Sequence, residues 1–398
     1  MYDKGSRGFW HIRLVLSFAA VVVFANLHAM QPLLPELKRH FALSELETSW
    51  SYAIGTLSLG LSLLFYGALA DAWGRKPVLA VSLIGMLLST ALLTQADSFT
   101  SLLVLRALQG FCLGGLPAVA IAYFGEELTP SAMFSAVGFY ISASSLGGIS
   151  GRVLAGWCAE SGHWVWVFYP LSLLSLLLVL VFWRLLPPVQ HFQARPLSWR
   201  RAAREGWNHV RHQGLLLTFL LGGVNFAVYL NQYTYISFVL SEAPYHLSSF
   251  WIGLLFLTYL TGTVGSALSA RIAKRLGQLA AMRAGVYLMM LGTFCTLVPQ
   301  LAAIVAGFFI SAFGFFLTHS LATSLVNRQA QTAKASASAL YLVFYYVGAS
   351  SGGLWLHPFY SAFGWPGVVL ASVLGYTLAL WLCAKLQRQL AAVEVQQH

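Results

Sequence analysis

His28, Gln31, Arg106 and Arg152 are polar side chains that stand inside long apolar stretches of this 398-residue chain. An ionisable group in hydrocarbon is costly to bury, so each of these positions is a candidate functional residue. Guanidinium groups take up carboxylates and phosphates through paired N–H donors, and imidazole changes charge near neutral pH. The chemistry on offer is binding and proton movement rather than bond-making. His319, in a separate apolar stretch, is a second candidate proton carrier, and either histidine could equally be a satisfied interior side chain. The sequence has no P-loop and no dinucleotide fingerprint, and its Gly-x-Ser-x-Gly string, Gly348-Ala-Ser350-Ser-Gly352, lies within an apolar stretch rather than at a strand-to-helix turn. Cys112, Cys158, Cys295 and Cys383 stand far apart, so neither a metal site nor a disulfide framework is expected, and no cofactor is implied.

The composition says where these residues sit. The chain is 58% hydrophobic and only 9% charged, with mean hydropathy +0.71, whereas a soluble domain carries about a quarter of its residues as charges. That apolar surplus cannot all be folded inward and must face lipid. A soluble enzyme, a disordered scaffold and a secreted disulfide domain are excluded.

Twelve stretches approach the ~20 apolar residues that a spanning helix needs: 14–36, 49–70, 77–96, 101–124, 134–157, 165–186, 214–239, 250–272, 279–298, 301–325, 335–357 and 364–386. The first follows Lys4, Arg7 and Arg13 but runs to Pro35 without a convincing cleavage site, so it reads as a retained span and not a signal peptide. With the N-terminus inside, 19 of the 23 Lys and Arg residues fall on the inner side and only Lys38 and Arg39 outside. That bias places both termini in the cytoplasm. The net charge of +11 therefore reports topology, and no nucleic-acid partner is expected.

The expected organisation is an N-terminal six-helix bundle (1–186), a basic cytoplasmic linker (187–213), a C-terminal six-helix bundle (214–386) and a short tail (387–398). The linker carries Arg195, Arg200, Arg201, Arg204 and Arg211 against Glu205. From Trp199 to Val210 it could form an amphipathic helix on the inner leaflet, or be a plain linker whose charges fix orientation. A shift of about 200 residues sets Gly147-x-x-x-Gly151 against Gly348-x-x-x-Gly352 and Tyr140 against Tyr341. A shift of 203 sets the turn ending at Gly74 against the one ending at Gly277. Matched halves of this kind are the trace of a parallel repeat in transporters that rock one half against the other.

The most specific local string is Gly67-Ala-Leu-Ala-Asp71-Ala-Trp-Gly74-Arg75-Lys76-Pro77, between spans two and three. Gly67 is expected to permit close helix approach and Gly74 a tight turn. Pro77 suits the first turn of the next helix, and Asp71 can pair with Arg75 or face a helix N-terminus.

This string resembles the G-x-L-A-D-x-x-G-R-K loop of the major facilitator superfamily, and the resemblance extends over the whole chain. It implies an all-α membrane fold of twelve helices in two pseudo-symmetric bundles. It also implies a latch formed by Asp71 and Arg75 at the cytoplasmic ends of the halves, with Glu126 and Glu127 as further members. In the second copy Lys274 replaces the acid, so any latch there must differ. Arg106-Ala-Leu-Gln109-Gly110 is similar to the R-x-x-Q-G element of proton-coupled members. Gly138-x8-Gly147-x3-Gly151-Arg152-x2-Ala155-Gly156 is similar to the antiporter pattern, with Arg152 in place of Pro and Ala155 in place of Gly. The small residues Gly147, Gly151, Gly156, Gly348 and Gly352 would equally serve helix packing alone. The segment from Ser144 through Gly156 resembles bacterial inner-membrane permeases of the drug/arabinose-efflux type.

At 1.5 Å per residue, Arg106 lies about 8 Å below the outer face, His28 about 9 Å, Gln31 about 5 Å and Arg152 a few Å. Arg152 could instead snorkel to the interface. No span carries an Asp or Glu near its middle, which argues against a carrier of organic cations. Asn225, Tyr229, Asn231, Gln232 and Tyr233 of span seven, with Tyr259, Tyr341 and Tyr345, could line the opposite wall of a substrate cavity or simply bond helix to helix. The expected protein is a monomeric bacterial inner-membrane carrier of a small anionic, zwitterionic or polar molecule. Export coupled to protons is favoured over uptake of a nutrient or metal-chelating molecule. A transporter-like sensor and a membrane acyltransferase are the alternatives of other classes.

Overall fold

A computed structural model describes the chain except for Ser161, Gln193, Arg195 and His398, and for residues 392–397 it describes the backbone alone. The Arg195 of the expected linker thus lies outside the described residues.

Helix follows helix because a backbone in lipid must bond to itself. In chain order the α-helices are α1 (Arg7–His28), α2 (Leu34–Phe41), α3 (Glu45–Trp73), α4 (Arg75–Leu93), α5 (Phe99–Leu113), α6 (Gly115–Glu127), α7 (Pro130–Glu160) and α8 (Phe168–Leu185). They continue with α9 (Trp199–Arg211), α10 (Gln213–Ser241), α11 (Ser249–Leu254), α12 (Tyr259–Leu276), α13 (Gln278–Cys295), α14 (Leu301–Gln329) and α15 (Lys334–Gln397). Polar residues set several starts. Ser44 and Glu47 close a capping box ahead of α3, and Ser98 and Ser101 do the same ahead of α5.

Ten segments are long and apolar enough to cross a membrane. One of them, Lys334–Ala391, is a double span, bent where Gly364 leaves helical geometry at φ 60°. With the 18-residue α13, the described residues supply the twelve expected spans. The expected tail from 387 onward continues α15 without a break.

Several of the expected spans are discontinuous, among them the first, the fourth and the eighth, which passes from α11 to α12 through a 3-10 turn over Leu255–Thr258. The first stops at His28, passes through a 3-10 turn over Gln31–Leu33 and resumes as α2. Pro32 within that turn and Pro35 just after it lack the N–H that would continue the ladder. The fourth span changes from α5 to α6 at Gly114.

The chain forms two compact units: Met1–Trp199 with Leu247–Leu254, and Arg200–His246 with Leu255–His398. The same packing device recurs in both. In the first unit a Cβ on Gly147 would stand 2.7 Å from the Cα of Val21, and one on Gly151 2.5 Å from that of Ala25, so α7 and α1 touch backbone to backbone. In the second, a Cβ on Gly348 would stand 2.8 Å from the Cα of Gly223, and one on Gly352 2.7 Å from the carbonyl carbon of Ala227. Here α15 and α10 make the equivalent contact. Gly74 and Gly277, which separate α3 from α4 and α12 from α13, share nearly one conformation (φ 96°, ψ 155° and φ 84°, ψ 149°). Only glycine adopts it readily.

Gly67 corrects the sequence reading. A Cβ there would meet no atom within 4 Å. The close approach of α3 to its neighbours occurs earlier along the helix, at Gly55 and Ser62, which face Gly110 and Gly114.

Candidate functional site

The break in α1 leaves the carbonyls of its last turn facing the bundle interior, at the negative end of a helix dipole. Arg106, fully buried on α5, fills that place. Its Nη2 donates to the Leu27 carbonyl at 3.0 Å, Nη1 to that of Asn26 at 3.2 Å, and Nε to that of Ser51 on α3 at 3.3 Å. Nη1 also donates to Gln109 Oε1, one turn along α5. All four acceptors are neutral oxygens.

Gln109 carries the network onward. Its Nε2 donates to Asn26 Oδ1 at 3.1 Å and to the Thr90 hydroxyl of α4 at 2.8 Å. Asn26 Nδ2 reaches Val22 O at 2.9 Å and Ser175 Oγ of α8 at 3.3 Å. Five helices are thus joined through one buried polar chain. Arg106 and Gln109 are where the sequence placed them, while Asn26, Thr90 and Ser175 went unnoticed. The signal was available in Asn26, an amide three residues from the break in an otherwise apolar run.

His28, Gln31 and Arg152 meet on the other side of the same break. Arg152 is 1% exposed and does not snorkel to the surface. Its Nε and Nη2 donate to Gln31 Oε1 at 2.8 and 2.6 Å, Nη1 donates to the Gly148 carbonyl at 2.9 Å, and Nη2 stands 3.1 Å from His28 Nδ1. Tyr52 of α3, not anticipated, places its hydroxyl 2.8 Å from the same nitrogen. A guanidinium only donates, so His28 Nδ1 is an acceptor and a neutral ring carries its proton on Nε2. Gln31 Nε2 is buried with no hydrogen-bond partner. Arg106 and Arg152 thus stand in two adjacent clusters that share the end of α1.

At the loop-string end of this unit, Arg75 Nη1 pairs with Asp71 at 2.6 Å, while Nη2 and Nε reach Glu126 Oε1 at 2.8 and 3.0 Å. Glu127 takes no part in that trio. Its Oε1 accepts the backbone N–H groups of Gln190 and His191 at 2.7 and 3.1 Å. Tyr123 Oη donates to the Pro187 carbonyl at 2.6 Å, and Lys76 Nζ to that of Leu186 at 2.5 Å. Lys76 and Glu127 thus hold the start of the linker rather than the charged trio. Tyr140 packs its ring 5.9 Å from that of Phe124, away from both polar clusters. Gly156 lies against Phe250, whose Cα would be 2.8 Å from a Cβ at that position.

In the second unit Asn225, His319, Tyr341 and Tyr345 line one recess with Gly222, Phe315, Thr318 and Ala322. It is too narrow to admit a water molecule. His319 Nδ1 lies 2.9 Å from the Tyr341 hydroxyl, and Asn225 Oδ1 is buried without a hydrogen-bond partner. Tyr345 stacks on Phe226 with ring centroids 3.7 Å apart, and Tyr229 on Phe315 at 4.0 Å. Tyr259 packs against Tyr229 and Tyr233. Asn231 and Gln232 differ from the rest of the expected wall. Asn231 Nδ2 donates to the Ala227 and Ala349 carbonyls, each at 2.8 Å, and Gln232 Nε2 to Thr293 Oγ1 at 2.8 Å. Both amides bond helix to helix, Asn231 to α15 and Gln232 to α13.

Comparison with known proteins agrees with this architecture. The family model described as Major Facilitator Superfamily matches residues 16–353. The chain is 36% identical to the inner membrane transport protein YnfM of Escherichia coli (strain K12), over 98% of this chain and 93% of that one. It is 34% identical to the MFS-type transporter YybF of Bacillus subtilis (strain 168), over 97% and 95%. Among solved structures, a D-xylose–proton symporter superposes with a TM-score of 0.68 at 15% identity, covering 94% of this chain and 97% of that one.

Proposed function

The chain belongs to the Major Facilitator Superfamily and is a multi-pass membrane transporter, not an enzyme; from that premise we propose that it moves a small anionic or zwitterionic molecule by proton-coupled alternating access, in the direction of export. The observation that carries the substrate class is the pair of buried arginines in the first unit, in a chain whose spans hold no carboxylate near their middles. Arg152 is the proposed anion-binding group, with Gln31 Nε2 as a further donor that a ligand oxygen would satisfy. Arg106 and Gln109 are proposed to hold the end of α1 through the transport cycle. Export rests on the likeness of Arg106-Ala-Leu-Gln109-Gly110 and of the Arg152 segment to elements of proton antiporters.

On this reading the protein works as a monomer in a bacterial inner membrane with both termini cytoplasmic. Asp71, Arg75 and Glu126 form the conformational latch. His28 and His319 are the candidate proton carriers, and the aromatic wall around Asn225, Tyr229, Tyr259, Tyr341 and Tyr345 receives the less polar part of the substrate.

One observation favours a second reading. A proton on His28 Nδ1 and the Arg152 bond to that nitrogen exclude each other, so a proton arriving there would free one N–H of Arg152 Nη2 for an anion while Gln31 and Gly148 still hold the guanidinium. Proton and anion would then bind together, which is symport. The deciding experiment uses proteoliposomes with an internal pH indicator and a ligand found by thermal-stabilisation screening at two pH values. Antiport moves protons against the ligand and weakens its binding in acid; symport does the reverse. Flux indifferent both to the pH gradient and to Arg152→Ala would sink both versions.

A further inference from the structure

The transport reading leaves one strongly patterned element unused, helix α9. Successive residues of a helix turn by about 100°, which puts Arg200, Arg204, Trp207 and Arg211 within an arc of about 60°. All four are exposed, Trp207 at 56%. The opposite side is docked on the second unit. His209 Nε2 lies 3.3 Å from the Ala333 carbonyl, and a Cβ on Gly206 would stand 3.7 Å from Leu340. Glu205, the acidic residue of the helix, is partly covered and paired with Arg201 at 2.9 Å. Arg211 lies over the Trp207 ring at 5.1 Å from its centroid, a placement that keeps the guanidinium plane on the outer face of the helix.

Only His212 separates Arg211 from the first residue of the spanning helix α10. His212 is extended (φ −76°, ψ 106°) and caps α10 by accepting the Leu215 N–H at 3.3 Å, so α9 does not continue along the axis of α10 into water. The contacts with Ala333 and Leu340, immediately before α15 and in its second turn, instead bring it back against the start of that membrane helix. A 13-residue helix is about 20 Å long, and laid there it keeps its whole length near the headgroup layer. At that level an indole suits the headgroup region and clustered arginines are drawn to anionic lipid.

We propose that the face formed by Arg200, Arg204, Trp207 and Arg211 binds the phosphate groups of anionic phospholipids in the leaflet at which α10 enters the membrane. Each guanidinium contributes donors for phosphate oxygens, and the indole sits among the headgroups. The lipid, in turn, fixes α9 against the second unit. This site is separate from the proposed transport site and does not depend on what is carried.

The test is hydrogen exchange of the full-length protein in nanodiscs of phosphatidylcholine alone or mixed with phosphatidylglycerol. Backbone amides of 200–211 should exchange about fivefold more slowly with the anionic lipid, and about 0.5 M salt should remove most of the difference by screening. The triple variant R200Q/R204Q/R211Q should lose the lipid-dependent slowing, while the corresponding lysine triple variant keeps most of it. If the glutamine triple inserts poorly, Arg204→Gln alone and the salt series carry the same comparison. Equal exchange in the two bilayers would overturn the proposal, leaving the arginines only a role in setting orientation. So would slowing retained by the glutamine variant. Slowing by soluble polyglutamate but not by phosphatidylglycerol would overturn it in favour of an acidic protein partner.

Discussion

Gln31 Oε1 accepts two N–H donors from Arg152, at 2.8 and 2.6 Å, while the amide nitrogen of the same Gln31 is buried without a hydrogen-bond partner. A buried donor left unsatisfied costs roughly 1–3 kcal/mol, so the pair is tightly held on one side and incomplete on the other. A ligand carboxylate or phosphate would complete it.

Gln31→Glu tests that arrangement directly. A carboxylate at this position would accept both Arg152 donors as an ion pair and delete the orphaned nitrogen. The variant should gain stability, on the order of 1 kcal/mol, seen as a higher melting temperature in detergent. It should also lose thermal stabilisation by any anionic ligand that protects the parent protein. Unchanged ligand protection would remove Gln31 and Arg152 from the binding site. Arg152→Lys should fail as well, because an ammonium cannot reproduce the forked contact to Gln31.

Much of this was legible from sequence, for identifiable reasons. Charges in apolar runs pointed to Arg106 and Arg152, and the matched glycines pointed to the repeat, because type and spacing alone distinguish them. The break after His28 was missed because a hydropathy count continues through Pro32 and Pro35, which are apolar yet cannot donate. Asn26, Thr90 and Tyr52 were missed because a neutral polar residue in a span looks the same whether it bonds its own helix or a neighbour. Glu126 and Glu127 were grouped together although adjacent helical residues point about 100° apart. One therefore reaches Arg75 and the other the linker.

That divergence predicts separate phenotypes for the two acids. Glu127→Ala frees the Gln190 and His191 amides, whose exchange should rise at least about tenfold, the loss expected for roughly 1.5 kcal/mol of charge-assisted hydrogen bonding. Glu126→Ala should leave those amides unchanged. Hydrogen exchange read peptide by peptide distinguishes the two, and equal effects would show that Glu127 does not hold the linker.

Asp71→Asn should separate stability from transport. The Asp71 side chain is 46% exposed, and Arg75 keeps both contacts to Glu126 when Asp71 is neutralised. The fold should lose less than about 1 kcal/mol, as surface pairs generally do. Flux should nevertheless fall severalfold if Asp71 acts in the conformational switch. A variant with normal expression, normal melting temperature and full flux would remove Asp71 from the latch.

The glycines offer the sharpest comparison between the two units. Gly151→Ala would drive a methyl group against Ala25 of α1, and Gly352→Ala would do the same against Ala227 of α10. In both places the obstacle is backbone, which cannot step aside as a side chain can, so overpacking should cost about 1–3 kcal/mol at each site. Because the contacts are equivalent in the repeat, the two losses should be similar in size. Gly67→Ala meets open space and replaces a residue poorly suited to a helix interior, so it should be neutral or stabilising by up to about 1 kcal/mol. Melting temperatures of the three single variants in one detergent check this ordering. A destabilised Gly67→Ala would mean that α3 makes a close approach there in another state of the transport cycle, and a loss confined to one of the other two would mean that the repeat is not energetically symmetric.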